Sequence, residues 1–284
     1  MQQANSIQAE IVVLGSGTSM GVPTLGCGCA VCTSSDPRNR RSRPSVAIEW
    51  STGGPREVHR VVIDTGQDFR EQALRERIAH VDAVLYTHPH ADHILGLDDL
   101  RPLSFRHAES MPLYADDATA AVLRNVFSYT FATDSKYPTR ARVRLEALNG
   151  QEYAVLGGAR FQRVPLMHGR LAVGGYRFGN AAYLTDMNRI PEESLPLLED
   201  LDVMILDALR WEPHPSHANV DEALRWIERV KPRQAWFTHI SHELDHEPTE
   251  AGLPPHIRLA YDGLRIPITL PIEALPVSVA GEGA

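Results

Sequence analysis

Between residues 87 and 100 the chain reads THPHADHILGLDDL, which sets His88, His90, Asp92 and His93 within six positions. Side chains of this kind are costly to desolvate at such density unless something compensates them, and a bound metal ion is the obvious compensator. Imidazole and carboxylate ligands suit Zn²⁺, Mn²⁺ or Fe, so ligand type alone leaves the metal open. A second cluster lies earlier, where GCGCAVC holds all three cysteines of the chain, Cys27, Cys29 and Cys32. An odd number of thiols argues against a disulfide framework. Cys-x-Cys-x-x-Cys instead offers three thiolates to a tetrahedral Zn²⁺, which needs a fourth ligand. The alternative is three reduced loop thiols.

Such clusters need rigid elements to aim them. EIVVLG (10–15), SVAIEW (45–50), VHRVVIDTG (58–66) and AVLY (83–86) read as strands, the last one feeding the histidine cluster. DFREQALRERIA (68–79) has helical spacing of Phe69, Ala73, Leu74 and Ile78 and is expected to cross a sheet face. Helix-like ILGLDDL follows the cluster. The order strand, helix, strand, site puts the cluster at a strand's carboxyl end, where open α/β sheets bind ligands. In the second half, ARFQRVPL, GGYRFG, AAYLTD, VMILDA and QAWFTH read as strands, and ATAAVLRNVF and NVDEALRWIERV as helices. The latter carries Val220, Ala223, Leu224 and Ile227 on one face. Several strands end in a coordinating residue: His88, His168, Asp186 and His239. Such ends can converge on one cleft.

With 284 residues, 43% hydrophobic and 23% charged, the chain is long enough for a large α/β fold and ordinary for a globular protein. No linker divides it, so one domain is expected over 1–284, with a cysteine-rich zinc loop at about 26–44 and a frayed GEGA tail. MQQANSIQAE lacks a basic start and an apolar signal core, and no run of about 18 apolar residues occurs. A cytoplasmic protein with no membrane partner is expected. The net charge of −8 opposes binding of a long nucleic acid, because phosphate contacts require cations. A small anionic substrate remains compatible if the site supplies positive charge, and so does a homodimer. The basic cluster RNRRSR, Arg38 to Arg43, reads as a solvated loop with counter-ions or as a phosphate or subunit contact. His59, His80, His107, His214 and His256 lack a partner pattern and read as surface or satisfied-core residues.

With these motifs in hand, the chain resembles the metallo-β-lactamase superfamily, whose His-x-His-x-Asp-His hallmark appears as His88-Pro-His90-Ala-Asp92-His93. The family's remaining ligands match His168 in PLMHG, Asp186 in YLTDM and His239 in FTHIS, and the resemblance spans roughly residues 10–265. It implies an α/β fold, the αββα four-layer sandwich, with a dinuclear site at one edge. Carried over, His88, His90 and His168 hold one metal, Asp92, His93 and His239 the other, and Asp186 bridges. Asp92 also counts among the catalytic residues. Two metals about 3.5–4 Å apart can share a hydroxide and clamp the attacking and leaving oxygens of a displacement, which suits phosphodiester hydrolysis. The full histidine set differs from the antibiotic-hydrolysing lactamases, which put cysteine at one ligand position, and from flavodiiron proteins, which use His-x-Glu-x-Asp.

The cysteine motif makes the chain look like the PhnP-type phosphodiesterases. In that family a structural zinc takes three such cysteines and a histidine three residues beyond the last active-site histidine, which here is His242, with His246 and Asp245 as fallback ligands. PhnP-type enzymes protonate the leaving alkoxide with a histidine ahead of a helix. In HPSHANVDEAL the spacing selects His217, and His214 is the runner-up. Related branches cut ribose cyclic phosphates, linear phosphodiesters, tRNA 3′ ends or thioesters. No basic, Gly-rich arm for tRNA is evident, so the resemblance implies a small, cyclic phosphodiester. Competing expectations are a ribonuclease Z-like enzyme, a thioesterase and a non-catalytic metal-binding module. AYDGLRI, with Tyr261 and Asp262, is expected at the cleft wall or in a structural role.

Overall fold

In a computed structural model, the chain is described over residues 5–53, 58–133 and 138–273; the GEGA tail lies outside the described residues. The first half supplies β1 (Asn5–Gly15), β2 (Ser45–Ser51), β3 (Val58–Ile63), β4 (Ala83–Leu85), β5 (Met111–Ala115) and β6 (Val143–Ala147). The second half supplies β7 (Tyr153–Leu156), β8 (Ala159–His168), β9 (Leu171–Phe178), β10 (Ala181–Leu184), β11 (Val203–Asp207), β12 (Gln234–Thr238), β13 (Ile257–Leu259) and β14 (Arg265–Ile272). Helices α1 (Phe69–Arg75), α2 (Ala91–Ile94), α3 (Arg101–Ser104), α4 (Asp117–Val126) and α5 (Ser128–Phe131) belong to the first half. Helices α6 (Val220–Val230) and α7 (His246–Ala251) belong to the second.

Hydrogen bonding runs in the order β13-β12-β11-β10-β9-β8-β14-β1-β2-β3-β4-β5-β6, with β7 beside β8. The link between β14 and β8 is one residue pair, Ile272 opposite Ala159. At that weak seam the strands divide into two layers that face one another. Alternation along the strands shows it: Ile11 and Val13 of β1, Ile48, Ile63 and Leu85 share one core with Phe161, Tyr176, Phe178, Tyr183 and Ile205. The opposite faces bury elsewhere. Val12, Leu14 and Val62 pack with Phe69 of α1 and with Ala120 and Leu123 of α4. Leu184, Met204 and Phe237 pack with Val220, Ala223 and Ile227 of α6. Helix, sheet, sheet and helix follow in turn, the expected αββα sandwich. Strands covered on both faces read as continuous apolar runs, which is why EIVVLG and VMILD were legible.

Helix α6 starts with a capping box, Asn219 Oδ1 accepting from Glu222 N and Glu222 Oε2 from Asn219 N. Helix α1 is shorter than the spacing predicts. It ends at Arg75, a left-handed Arg77 (φ 55°) turns the chain, and Leu74 is left 59% exposed while Ile78 reaches the core from outside the helix. Strand β14 was not expected, because Pro267 and Pro271 interrupt it. It tolerates them because its second edge meets β8 only at Ile272. None of the described helices is long and apolar enough to cross a membrane.

Candidate metal centre and active site

The strands that carry ligands end on one rim. Strands β3 and β4 run parallel, as do β10, β11 and β12, so their carboxyl ends lie on the same side. Three strand-end residues there, Asp64 (φ 64°), Asp186 (φ 52°) and His239 (φ 59°), adopt left-handed backbone, which turns the side chain back toward the cleft. Such conformations cost of order 1–3 kcal/mol outside glycine and are tolerated where surrounding structure enforces them.

The seven expected ligands converge. His88, His90, His168 and Asp186 place one donor atom each within 4.8 Å of one another, and Asp92, His93, Asp186 and His239 do the same. Asp186 is common to both groups: its Oδ1 lies 3.3 Å from His239 Nε2 and 3.8 Å from His88 Nε2, and its Oδ2 lies 3.1 Å from His93 Nε2. Asp92 Oδ2 faces His93 Nε2 at 3.3 Å and His239 Nε2 at 3.6 Å, so it occupies a ligand position. His88 Nε2 and His90 Nδ1 are 2.9 Å apart.

The donor set fits divalent cations. Asp92 Oδ2, His93 Nε2 and His239 Nε2 are buried without a hydrogen-bond partner among the described residues. Buried polar atoms of a folded protein are normally satisfied, and a cation between these atoms would satisfy them together. The far sides of three of the imidazoles are already fixed. His93 Nδ1 lies 2.7 Å from Asp64 Oδ2, His168 Nδ1 lies 2.8 Å from the Ser216 carbonyl, and His88 Nδ1 lies 3.0 Å from Thr87 Oγ1. Each contact aims the remaining nitrogen into the cleft, as outer partners of metal ligands do. Burial opposes the charge on Asp186, and His239 and His93 overcome it, holding the carboxylate well below its usual range. Burial likewise opposes charge on His239, yet Asp186 and Asp92 raise it to about 9. A cation would take over the role of those protons.

Asp64 and Asp207 were missed in the sequence. Asp64 accepts from Thr87 N and Thr87 Oγ1, both at 2.8 Å, besides pairing with His93. Asp207 Oδ2 lies 2.6 Å from His217 Nδ1 and accepts from Met187 N at 3.0 Å. The only available signal was position: both carboxylates directly end a buried strand, in VVID and VMILD.

His217, the residue expected from the resemblance as the acid, lies beside the metal-binding groups. Its ring stacks on His239 at 4.5 Å and meets His168 edge-on at 4.4 Å. With Nδ1 held by the fully buried Asp207, Nε2 is left for the cleft. His214 is otherwise employed, its Nδ1 accepting from the backbone N–H of Ser216 and His217 at 3.4 and 3.3 Å, which shapes the turn.

The second cluster also assembles. Nδ1 of His242 lies 3.2, 3.5 and 3.4 Å from Sγ of Cys27, Cys29 and Cys32. Zinc bonds of about 2.3 Å to sulfur and 2.0 Å to nitrogen at tetrahedral angles give an edge of about 3.5 Å, so the four atoms fit one ion. The fallback residues are engaged elsewhere. Asp245 accepts from Asn39 Nδ2 at 2.8 Å, and His246 is buried against Tyr261 and Glu250.

The RNRRSR segment departs from the expectation of a solvated loop. Arg41 is 1% exposed and donates to the carbonyls of Ser241 and Leu244, both at 2.7 Å, and to Asn39 Oδ1 at 2.8 Å. Arg38 pairs with Asp36 and Arg43 with Asp68. The cluster is a latch that fastens the cysteine loop to the backbone on both sides of His242. Asp262 accepts from Ser16 and Ser42 through backbone and hydroxyl alike, so it is a structural brace. His80 is satisfied by Asp82, and His107 by the Val81 carbonyl.

The profile of the Beta-lactamase superfamily domain matches residues 59–240. A crystal structure of a new diphosphatase from the PhnP family is 49% identical, with a TM-score of 0.87, covering 94% of this chain and 100% of that one. Zn²⁺-bound PqqB from Methylobacterium extorquens shares the fold at 18% identity and a TM-score of 0.69, over 90% of this chain and 99% of that one. Among curated proteins, an octanoyltransferase of Porphyromonas gingivalis is 36% identical over 255 residues, 89% of this chain and 50% of that protein. A coenzyme PQQ synthesis protein B of Rhodopseudomonas palustris is 29% identical over 46% of this chain and 43% of its own. The chain thus spans about half the length of these curated relatives or less. Ligand geometry, sandwich and similarity agree: the chain belongs to the metallo-β-lactamase superfamily of metal-dependent hydrolases and, within it, to the PhnP family.

Proposed function

We propose that the protein hydrolyses a small phosphodiester, such as a ribose cyclic phosphate or cyclic nucleotide, with two divalent cations in the His/Asp centre and a structural zinc in the cysteine site. The observation that carries this reading is the His217–Asp207 pair, set against two of the metal-binding imidazoles. An alkoxide leaving group is strongly basic and needs a positioned proton donor. A thioester or a lactam does not expel so basic an oxygen.

Bound cations supply a nucleophile at neutral pH and neutralise charge on the phosphoryl oxygens. The chain's own residues do the rest. His88, His90, His168, Asp92, His93, His239 and Asp186 fix where the phosphorus sits. Asp207 holds Nδ1 of His217 and fixes its orientation, so that Nε2 can deliver a proton to the departing oxygen. Zinc and manganese both suit these donors. The acidic balance of the chain favours a small substrate over a long nucleic acid.

A second reading, hydrolysis of a diphosphate, is favoured by the 49% identical structure, which is described as a diphosphatase. Metal-loaded protein assayed against a cyclic nucleotide, a linear phosphodiester, a nucleoside diphosphate and a thioester separates the readings. Highest kcat/KM on a diester supports the proposal. Preference for the diphosphate moves it to the second reading, and thioester turnover alone rejects both.

A further inference from the structure

Of the ligating imidazoles, those of His88, His93, His168 and His239 are buried. Three of these have a partner for the nitrogen that faces away from the centre: Thr87 for His88, Asp64 for His93 and the Ser216 carbonyl for His168. His239 is the exception. Both of its nitrogens are buried without a hydrogen-bond partner among the described residues. A metal ion satisfies Nε2 and leaves Nδ1 carrying the hydrogen, because a neutral imidazole that ligates through one nitrogen keeps its proton on the other. A buried N–H without an acceptor is destabilising, so that nitrogen needs one.

One carboxylate oxygen nearby is unpaired in the same way. Asp207 Oδ2 is taken by His217 Nδ1 at 2.6 Å and by Met187 N at 3.0 Å, whereas Oδ1 is buried without a partner among the described residues. Asp207 closes β11 and lies opposite Thr238 in the parallel ladder with β12, which puts His239 one residue further along. Asp207, His217 and His239 bring one donor atom each within 4.8 Å of one another, and the two rings lie nearly parallel, 12° apart. The spare oxygen and the spare nitrogen are thus within reach of a small side-chain closure. A carboxylate offers about four lone-pair sites, enough for Met187 and for both imidazoles.

We propose that Asp207 is a positioning residue for two imidazoles at once: Oδ2 holds the proton donor His217, and Oδ1 accepts from Nδ1 of the metal ligand His239 when the centre is loaded. One rigid carboxylate then sets the distance between the proton donor and the ligand that fixes the phosphorus. A displacement of about 1 Å in an active site can cost about 100-fold in rate, so a shared holder keeps the two groups in register. Only this catalytic consequence rests on the phosphodiesterase reading. The hydrogen bond and its effect on metal affinity stand apart from it.

The test is zinc affinity of the full chain, read by chelator competition with the cysteine-site zinc as internal reference. Outer partners of ligating histidines are worth about 10–100-fold in metal affinity. Asp207→Asn keeps the shape of the side chain, but its amide accepts for one imidazole only, because the other position becomes an N–H donor. It should weaken zinc binding at the His/Asp centre about tenfold or more, with the cysteine-site zinc and the melting temperature unchanged. His217→Ala leaves the His239 contact in place and should not weaken zinc binding. Unchanged affinity in Asp207→Asn, or an equal weakening in His217→Ala, overturns the proposal. A second measurement needs no variant. In a crystal structure of the zinc-loaded protein, Asp207 Oδ1 should lie about 2.7–3.2 Å from His239 Nδ1. A different acceptor at that nitrogen, or a cation held among Asp207, His217 and His239, overturns the proposal as well. Absence of turnover on every phosphodiester defeats the phosphodiesterase reading and leaves both measurements decisive for Asp207.

Discussion

Replacing His217 by alanine removes the group proposed above as proton donor. The imidazole is held by one short contact, Nδ1 to Asp207 Oδ2 at 2.6 Å, and by ring packing on His168 and His239. It supplies no donor atom to either of the two groups that share Asp186, so its loss should leave the metal content unchanged. A positioned general acid is worth about 10²–10⁴-fold, or roughly 3–5 kcal/mol of barrier. That loss should appear in full on a cyclic nucleotide, whose leaving group is a ribose alkoxide. Bis-nitrophenyl phosphate expels a weakly basic nitrophenolate and should retain most of its turnover. The assay is kcat on both substrates for His217→Ala, with elemental analysis of the same sample. Asp207→Asn should show the same substrate-selective pattern with a smaller loss, because it keeps the shape of the holder and removes its charge. Equal losses on the two substrates would refute the reasoning and assign His217 to positioning or metal binding. Selective loss in His214→Ala would move the acid to that neighbour.

Asp186→Ala removes the one carboxylate shared by both donor groups. Elemental analysis should show at least one equivalent of catalytic-site metal lost, and unchanged stoichiometry would reject the bridging role. For Cys29→Ser we expect one tightly held zinc to disappear and the melting temperature to drop, with the His/Asp centre still loaded; wild-type zinc content would defeat the structural-zinc assignment. Arg41→Met leaves the buried carbonyls of Ser241 and Leu244 without their donor, at about 1–3 kcal/mol each. Urea unfolding should therefore report a loss of about 2–6 kcal/mol together with weaker zinc retention, and a loss below about 1 kcal/mol would show that the latch is not needed.

The ligand set was legible because it is written locally. His88, His90, Asp92 and His93 fall within one turn after a buried strand, and His168, Asp186 and His239 each close an apolar run that sheet burial makes recognisable. The three thiols share one short loop for the same reason. The αββα layering was implied by the family resemblance, which the strands buried on both faces fit, while β14 stayed hidden because its prolines are acceptable only at a seam bonded mainly on one side.

What the linear order does not encode is how separate strand ends meet once the two layers pack. Asp64 reaches His93 across 29 positions and Arg41 reaches Ser241 across 200, distances at which no periodicity survives. The same packing decides that His242, rather than His246, faces the thiols, and that Asp207 selects His217 over His214. The sequence determined which chemical groups gather at this rim, since strand length and motif spacing are local properties. Tertiary structure decided which atoms of those groups are free to react, because a side chain's remaining nitrogen or oxygen is set by whatever distant partner has already taken the other.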